Sequence, residues 1–534
     1  MAASDAPRPR PPGRRLAVNT VIFSVLTGLS RIAGLAREVV AAGYFGTTGA
    51  ASAFTLAFQL PNLVRALVAD AALSSAFVPV FSELLEQGRR REASALAAAL
   101  CGLILVVLGA ITLVFIAVAG VLVPLLTGDE FGSALDALTV GLSRVLFPIV
   151  VLLGLNGLVV GVLNAHDHFT IPALAPLVWN LVIIAALVVL TPRFEGDDRI
   201  YAYAIGVVAG TAVQFGMTLP VLRRVGFPVG ISLHWRDERI VRVLTLMLPV
   251  TISLGLINID LLINSVLGSL VSEQAPRAID GAFRIYMLPQ GLFSVAVATV
   301  LFPTLSRLAA RGDLPGLRHT TAVGVRQIAL LLIPAAAAIL ALATPVTRLV
   351  YERGVFDAES TELVAEALFW FAFSLPFAGV NLLLTRTFFS LQRPWLPTAL
   401  SLAALVANAA TSLALYRALG IAGIVIGTVA SSLTMTLGQA VLLRRALDGL
   451  EVAATLRAVA LMVVAAAALG GTAYAVWSLL DGALGRALPA QVASVGGGLA
   501  AGSAVYVAIV LALRIPEARQ ILDLFATRLR RRPS

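Results

Sequence analysis

The chain has 534 residues, of which 59% are hydrophobic and 13% charged, with a formal charge of +10 and a mean hydropathy of +0.93. A soluble domain carries about 25% charged residues, so this composition excludes a soluble globular protein and defines a polytopic integral membrane protein. No Lys occurs, as in a GC-biased genome, and the Arg residues gather in short loops and tails, where they set topology rather than a nucleic-acid footprint.

Residues 1–15, rich in Pro and Arg, are expected to form a disordered cytoplasmic N-terminus. Apolar runs of about 20 residues, the length that crosses a hydrocarbon core, then recur about fourteen times. They fall near 18–44, 50–82, 94–126, 134–163, 170–191, 200–222, 240–271, 278–308, 318–350, 360–390, 395–416, 420–443, 453–480 and 489–513. Arg31 and Arg37, beside Glu38, interrupt the first run; Arg65 and Asp70 interrupt the second, with a break expected near Asp70. An ionisable group at the bilayer centre costs about 2.5–3.5 kcal/mol on insertion scales, so three arginines here point to a water-filled cavity that handles an anion. The single cysteine, Cys101, sits inside an apolar run and excludes both a disulfide framework and a Cys-based metal site.

The connections test the span count. Alternate loops carry Arg89 to Arg91, then Arg223, Arg224, Arg236 and Arg239, then Arg307, Arg311 and Arg318, then Arg393, then Arg444 and Arg445. The tail adds Arg528 and Arg530 to Arg532, whereas the opposite loops hold only Arg193, Arg199, Arg277, Arg353, Arg417 and Arg486. This asymmetry puts both termini in the cytoplasm, with an even number of spans.

A weak internal repeat aligns Pro79 with Pro303, Pro172 with Pro397 and Pro148 with Pro376, at offsets of 224, 225 and 228. An even span offset preserves orientation. The expected fold is therefore all-α: two six-helix lobes related by a pseudo-twofold along the membrane normal, facing a cavity, plus two C-terminal helices. The expected divisions are an N-lobe at 16–224, a C-lobe at 236–446, the additional pair at 452–515 and a basic cytoplasmic tail at 516–534. Rocking of the lobes would give alternating access. There is no Walker-type phosphate loop and no nucleophilic triad or catalytic carboxylate pair, so an ATP-driven pump and an enzyme are both excluded. A membrane potential or ion gradient is the expected driving force. His166, Asp167 and His168 read as a solvated turn rather than a metal site, and Gly496 to Gly498 with Gly502 as close helix packing.

The run SRIAGLARE…YFG…AFQLPNLVRALVADAALSSAFVPVFSE, with NAHDHFTIPALAP and FRIYMLPQGLFSVAVATVLFPTLSR, resembles the MurJ/MviN lipid II flippases of the MATE-like exporter superfamily. The resemblance implies translocation of the undecaprenyl-diphosphate-linked peptidoglycan precursor, lipid II, from the inner to the outer leaflet of the plasma membrane, with the last two spans forming a lipid-tail groove. It implies cavity arginines at Arg31, Arg37, Arg65 and Arg284, and cell-wall synthesis proteins as further partners. Arginine suits a diphosphate because its planar fork binds phosphate oxygens bidentately and does not titrate. Arg37 has the alternative of pairing with Glu38, whereas Arg31 and Arg284 are expected to stand without a carboxylate on their own helix turn. Some relatives place a sodium site between the seventh, eleventh and twelfth spans. Asp260, Asn264, Asn408, Ser412 and Thr428 offer oxygen ligands for such a coupled Na+ or H+, or else hydrogen bonds between helices. The sequence departs from the family with Ser52 for an Asp, Gln59 for a Lys, and Phe283 and Met287 for acidic residues. Those departures keep open a flippase for another undecaprenyl-linked glycan; the other alternative, a cation-coupled multidrug exporter, would have about twelve spans and an acidic cavity, and the chain argues against it. A non-transporting scaffold would have little use for the arginines.

Overall fold

A computed structural model describes residues 12–519, apart from 69–70, 167, 228–229 and 234–236. Every regular element among them is helical: α1 (Pro12–Phe45), α2 (Gly49–Val68), α3 (Ala71–Glu86), α4 (Arg90–Leu126), α5 (Gly132–Leu146), α6 (Ile149–Ala165), α7 (Thr170–Leu190), α8 (Tyr201–Arg224), α9 (Glu238–Ser269), α10 (Ala275–Pro289), α11 (Val295–Ala310), α12 (Leu314–Tyr351), α13 (Ala358–Ser390), α14 (Trp395–Ala446), α15 (Val452–Leu484) and α16 (Leu488–Ala512). In hydrocarbon a helix satisfies its own backbone polar groups, which is why apolar runs of this length adopt it. Asp70, Asp167, Arg236 and the tail arginines from Arg528 onward lie outside the described residues.

Ten helical segments among the described residues are long and apolar enough to cross a bilayer. One of them, α14, runs for 52 residues but is two passes, divided at Gly420, whose φ of 56° and ψ of −130° leave the helical region. The passes reverse direction there: a Cβ on Gly423 would meet the Leu415 carbonyl, one on Gly427 the Ser412 hydroxyl, and one on Gly438 the Leu400 side chain. Helices α1 and α9, of 34 and 32 residues, and the α2–α3 pair supply the remaining expected passes.

The chain divides into two compact units, one of Met1–Phe45, Leu56–Leu125 and Ser133–Asn258, the other of Gly46–Thr55, Leu126–Gly132 and Ile259–Ser534. In the first, α3, α4, α6, α8 and α9 share a core built around Phe77, Phe81, Leu100, Leu108 and Phe147. Phe115 stacks on Phe147 at a centroid distance of 3.7 Å.

In the second unit the order of elements seen in the first recurs: a broken pass, a long helix, then further passes. Helices α3 and α11 are each 16 residues long and carry Pro79 and Pro303 at equivalent positions. Between α10 and α11, directly after Pro289, Gln290–Ser294 winds as π-helix, as expected where a proline removes a helix donor. Helices α15 and α16 pack closely through Gly498 and Gly502, where any Cβ would lie 2.7 Å from the carbonyls of Ala473 and Leu469. They rest on α12 through Leu330, Met462, Ala465 and Tyr506, whose hydroxyl donates to the Leu330 carbonyl at 2.9 Å. Ion pairs flank this seam: Arg326 with Glu451 (3.1 Å) and Glu517 at one end, Arg348 with Asp481 at the other.

Candidate functional site

In the first unit, α1 carries Arg31 and Arg37 through an apolar helix. Arg31 is exposed, between the exposed side chains of Leu29 and Ile32, and has no hydrogen-bond or ion-pair partner among the described residues. Arg37 is buried: it pairs with Glu38 and lies over the Trp179 ring, 4.8 Å from its centroid. Tyr203 donates to the same Glu38 carboxylate at 3.3 Å, so the charge is held inside the α1, α7 and α8 packing. Arg65, at the end of α2, donates from Nε and Nη2 to the Asn62 side-chain oxygen at 3.0 and 2.8 Å. Asn62 in turn donates to Asn258 of α9 at 3.0 Å.

In the second unit, Arg284 does have a carboxylate on its own helix turn. Asp280, four residues earlier on α10, accepts from its Nε at 2.9 Å. The same carboxylate accepts from Arg277, three residues further back, at 3.1 Å. Asp280 thus sits between two guanidiniums. Arg277 reads in the sequence as a loop residue, yet it is 6% exposed and lies inside α10. The i, i+3 and i, i+4 spacing was the available signal. Its backbone N–H donates to the buried Ser52 hydroxyl at 3.2 Å. Phe283 packs against Tyr286 and Phe371, and Met287 is exposed.

The five polar residues of the candidate cation site come together. Asn408, fully buried on the first pass of α14, donates to Asp260 at 2.6 Å and to Asn264 at 3.0 Å on α9. Asn264 donates to Thr428 on the second pass at 3.0 Å, and Ser412 donates to the Asn408 side-chain oxygen at 3.0 Å. Gly427 makes this convergence possible, because a Cβ there would stand 2.0 Å from the Ser412 hydroxyl and 2.4 Å from the Asn408 oxygen. One carboxylate, two amide oxygens and two hydroxyls form a hard-oxygen donor set suited to a small cation. Among the described residues no group of three or more His, Cys, Asp or Glu converges as a metal site.

A helical chain of repeated passes, with arginines and a buried polar cluster inside otherwise apolar helices, defines a multi-pass membrane transporter. Its fold is similar to a solved lipid II flippase MurJ in an inward closed conformation, with a TM-score of 0.75 and 21% identity over 92% of this chain and 99% of that one. It is also similar to an inward-facing multidrug resistance MATE family transporter of the MOP superfamily, with a TM-score of 0.67 and 15% identity over 82% of this chain and 99% of that one. The family model for lipid II flippase MurJ matches residues 41–492. Among curated relatives, the lipid II flippase MurJ of Burkholderia cenocepacia is 32% identical, over 78% of this chain and 82% of its own. The probable lipid II flippase MurJ of Rhizobium meliloti is 32% identical over 74% of each chain. The chain belongs to the lipid II flippase MurJ family. Arg65, Arg284 and the whole polar cluster fall inside the matched segment, whereas Arg31 and Arg37 precede it.

Proposed function

We propose that this protein is a flippase that moves lipid II from the inner to the outer leaflet of the plasma membrane. The observation that carries the reading is the family match across residues 41–492. The arginines supply a chemical reason. A diphosphate is multiply charged over several oxygens, and guanidiniums meet it with bidentate, charge-assisted hydrogen bonds. Arg31 offers such a fork, and Arg284 shares the Asp280 carboxylate with Arg277. Arg65 is oriented by Asn62, and Arg37 braces α1 against α7 and α8. Transport proceeds without bond-breaking chemistry, by alternating access, with both termini in the cytoplasm.

Coupling to Na+ or H+ at the Asp260 cluster is part of the same proposal. Asp260 supplies the charge, while Asn264, Asn408, Ser412 and Thr428 supply neutral oxygens. The replacement of charged family positions by Ser52, Gln59, Phe283 and Met287 favours one second reading, a flippase for another undecaprenyl-diphosphate-linked glycan. Both readings use the same diphosphate contacts.

The test is depletion of the protein in its own organism with labelling of lipid II in the outer leaflet. Loss of the outer-leaflet pool supports the proposal. An unchanged pool, with no second flippase compensating, overturns it, and loss of a different surface glycan favours the second reading.

A further inference from the structure

One intramembrane arginine takes no part in the site described above. Arg144 lies on α5, exposed, within an apolar segment running from Asp129 to Ala165. That segment and α4 are each 37 residues long, about 55 Å at 1.5 Å per residue, some 25 Å more than the hydrocarbon core. Centred on the bilayer, each therefore projects about 12 Å at either end, which leaves Arg144 about 10 Å below the hydrocarbon edge on the Asp129 side. A helical side chain leans toward the N-terminus of its helix, here toward that same edge.

The guanidinium is placed rather than loose. Its Nε donates to the Ile116 carbonyl of α4 at 3.2 Å. Its Nη2 lies 3.6 Å from where a Cβ on Gly120 would stand, an ordinary contact distance, so the group rests over a notch that a side chain longer than a methyl group would fill. Neighbouring turns of α4 expose Leu113, Val114, Val118 and Val121, the surface that acyl chains cover. Among the described residues no carboxylate pairs with Arg144, and its Nη groups make no hydrogen bond. By the same centring Ile116 and Gly120 of α4 lie within about 3 Å of that edge, so the side chain rises to the headgroup level and holds there, without a protein counter-ion, a charge that does not titrate, where the bilayer supplies phosphates.

We propose that Arg144 and the Gly120 notch form a binding site for the phosphate of an anionic phospholipid, a bilayer lipid and not the transported one. The bound lipid seats its phosphate against the Nη fork and its acyl chains along the apolar face of α4. This inference stands independently of the lipid II reading.

The experiment is native mass spectrometry of the full-length protein titrated in parallel with phosphatidylglycerol, phosphatidylcholine and a polyprenyl-diphosphate lipid. Wild type should hold phosphatidylglycerol about tenfold more tightly than phosphatidylcholine, and R144A should lose that preference; a single good charged contact supplies such a factor. R144K, which keeps the charge without the fork, should retain part of it. G120L fills the notch and keeps the arginine, and it should also lose the preference, so the test survives if R144A fails to fold. An undiminished preference in R144A or G120L overturns the proposal. So does a polyprenyl diphosphate that competes at this site more strongly than phosphatidylglycerol.

Discussion

Arg31 and Arg37 stand on one helix and do different work. Arg37 is spent inside the protein, on Glu38 and Trp179, so Arg37→Ala strips a buried carboxylate of its cation. A loss of about 3–5 kcal/mol is expected, read as a fall in protein level and in the unfolding midpoint in detergent. Arg31→Ala removes a side chain with no partner among the described residues. It should leave the midpoint within about 0.5 kcal/mol of wild type while abolishing complementation of a depletion strain. Normal growth with Arg31→Ala would remove Arg31 from the transport reading. For the polar cluster, wild type should gain thermal stability when choline is exchanged for Na+, and Asp260→Asn should abolish that gain; equal gains in both would remove the cation from Asp260. The arginines were legible in the sequence because charges do not belong in apolar runs. Their partners were only partly so: Asp280 is visible at helical spacing from Arg284, but nothing local to α1 announces Trp179, which arrives from α7 through tertiary packing.

At the scale of elements, glycine positions decide how closely helices approach. Gly427 lets the second pass of α14 press against Asn408 and Ser412, so Gly427→Val should cost about 1–3 kcal/mol by overpacking and separate the cluster. Thermal unfolding reads the stability loss, and the Na+ response should disappear with it. The α12–α15 seam is held differently, by ion pairs at both ends of a small-residue interface. A double-mutant cycle on Arg348 and Asp481 should give a coupling of about 1–3 kcal/mol, because Arg348 is 8% exposed and Trp477 lies beside it. A coupling near zero would make the pair incidental. The sequence marked Gly496 to Gly498 and Gly502 as close helix packing, and the partner proves to be α15, through Gly498 and Gly502. The sequence did not show that α12 receives this pair of helices, since Arg326 and Glu517 are 191 residues apart.

Across the whole molecule, the order of elements was readable because bilayer thickness fixes the length of each apolar run and basic loops mark alternate ends. The internal repeat survives as the matched placement of Pro79 and Pro303. Acid stability is also a property of the whole chain, through carboxylates at helix ends. Hydrogen bonds from Arg239 hold Asp237 below its usual range, and N–H donation from Ser360 does the same for Asp357 at the start of α13. At Glu451 burial raises the carboxyl, but His319 and Arg326 outweigh it and the net direction is downward. Each depressed group contributes stability above its unfolded value of about 4 and loses it as pH falls through the lower folded value. The unfolding midpoint in detergent should therefore drop as pH is taken from about 5 to 3. Asp357→Asn should flatten part of that drop, and a midpoint that rises on acidification would contradict these three assignments.

The turn at Gly420 bears on how the protein is made. Two passes meet there with no intervening polar loop, and only Arg417 lies close to the bend. A ribosome delivering this stretch offers the translocon a ready helical hairpin rather than one segment to thread and a second to stop. A side chain at the bend that resists φ of 56° would act during synthesis, as a failure of insertion, before any mature transporter existed to be destabilised.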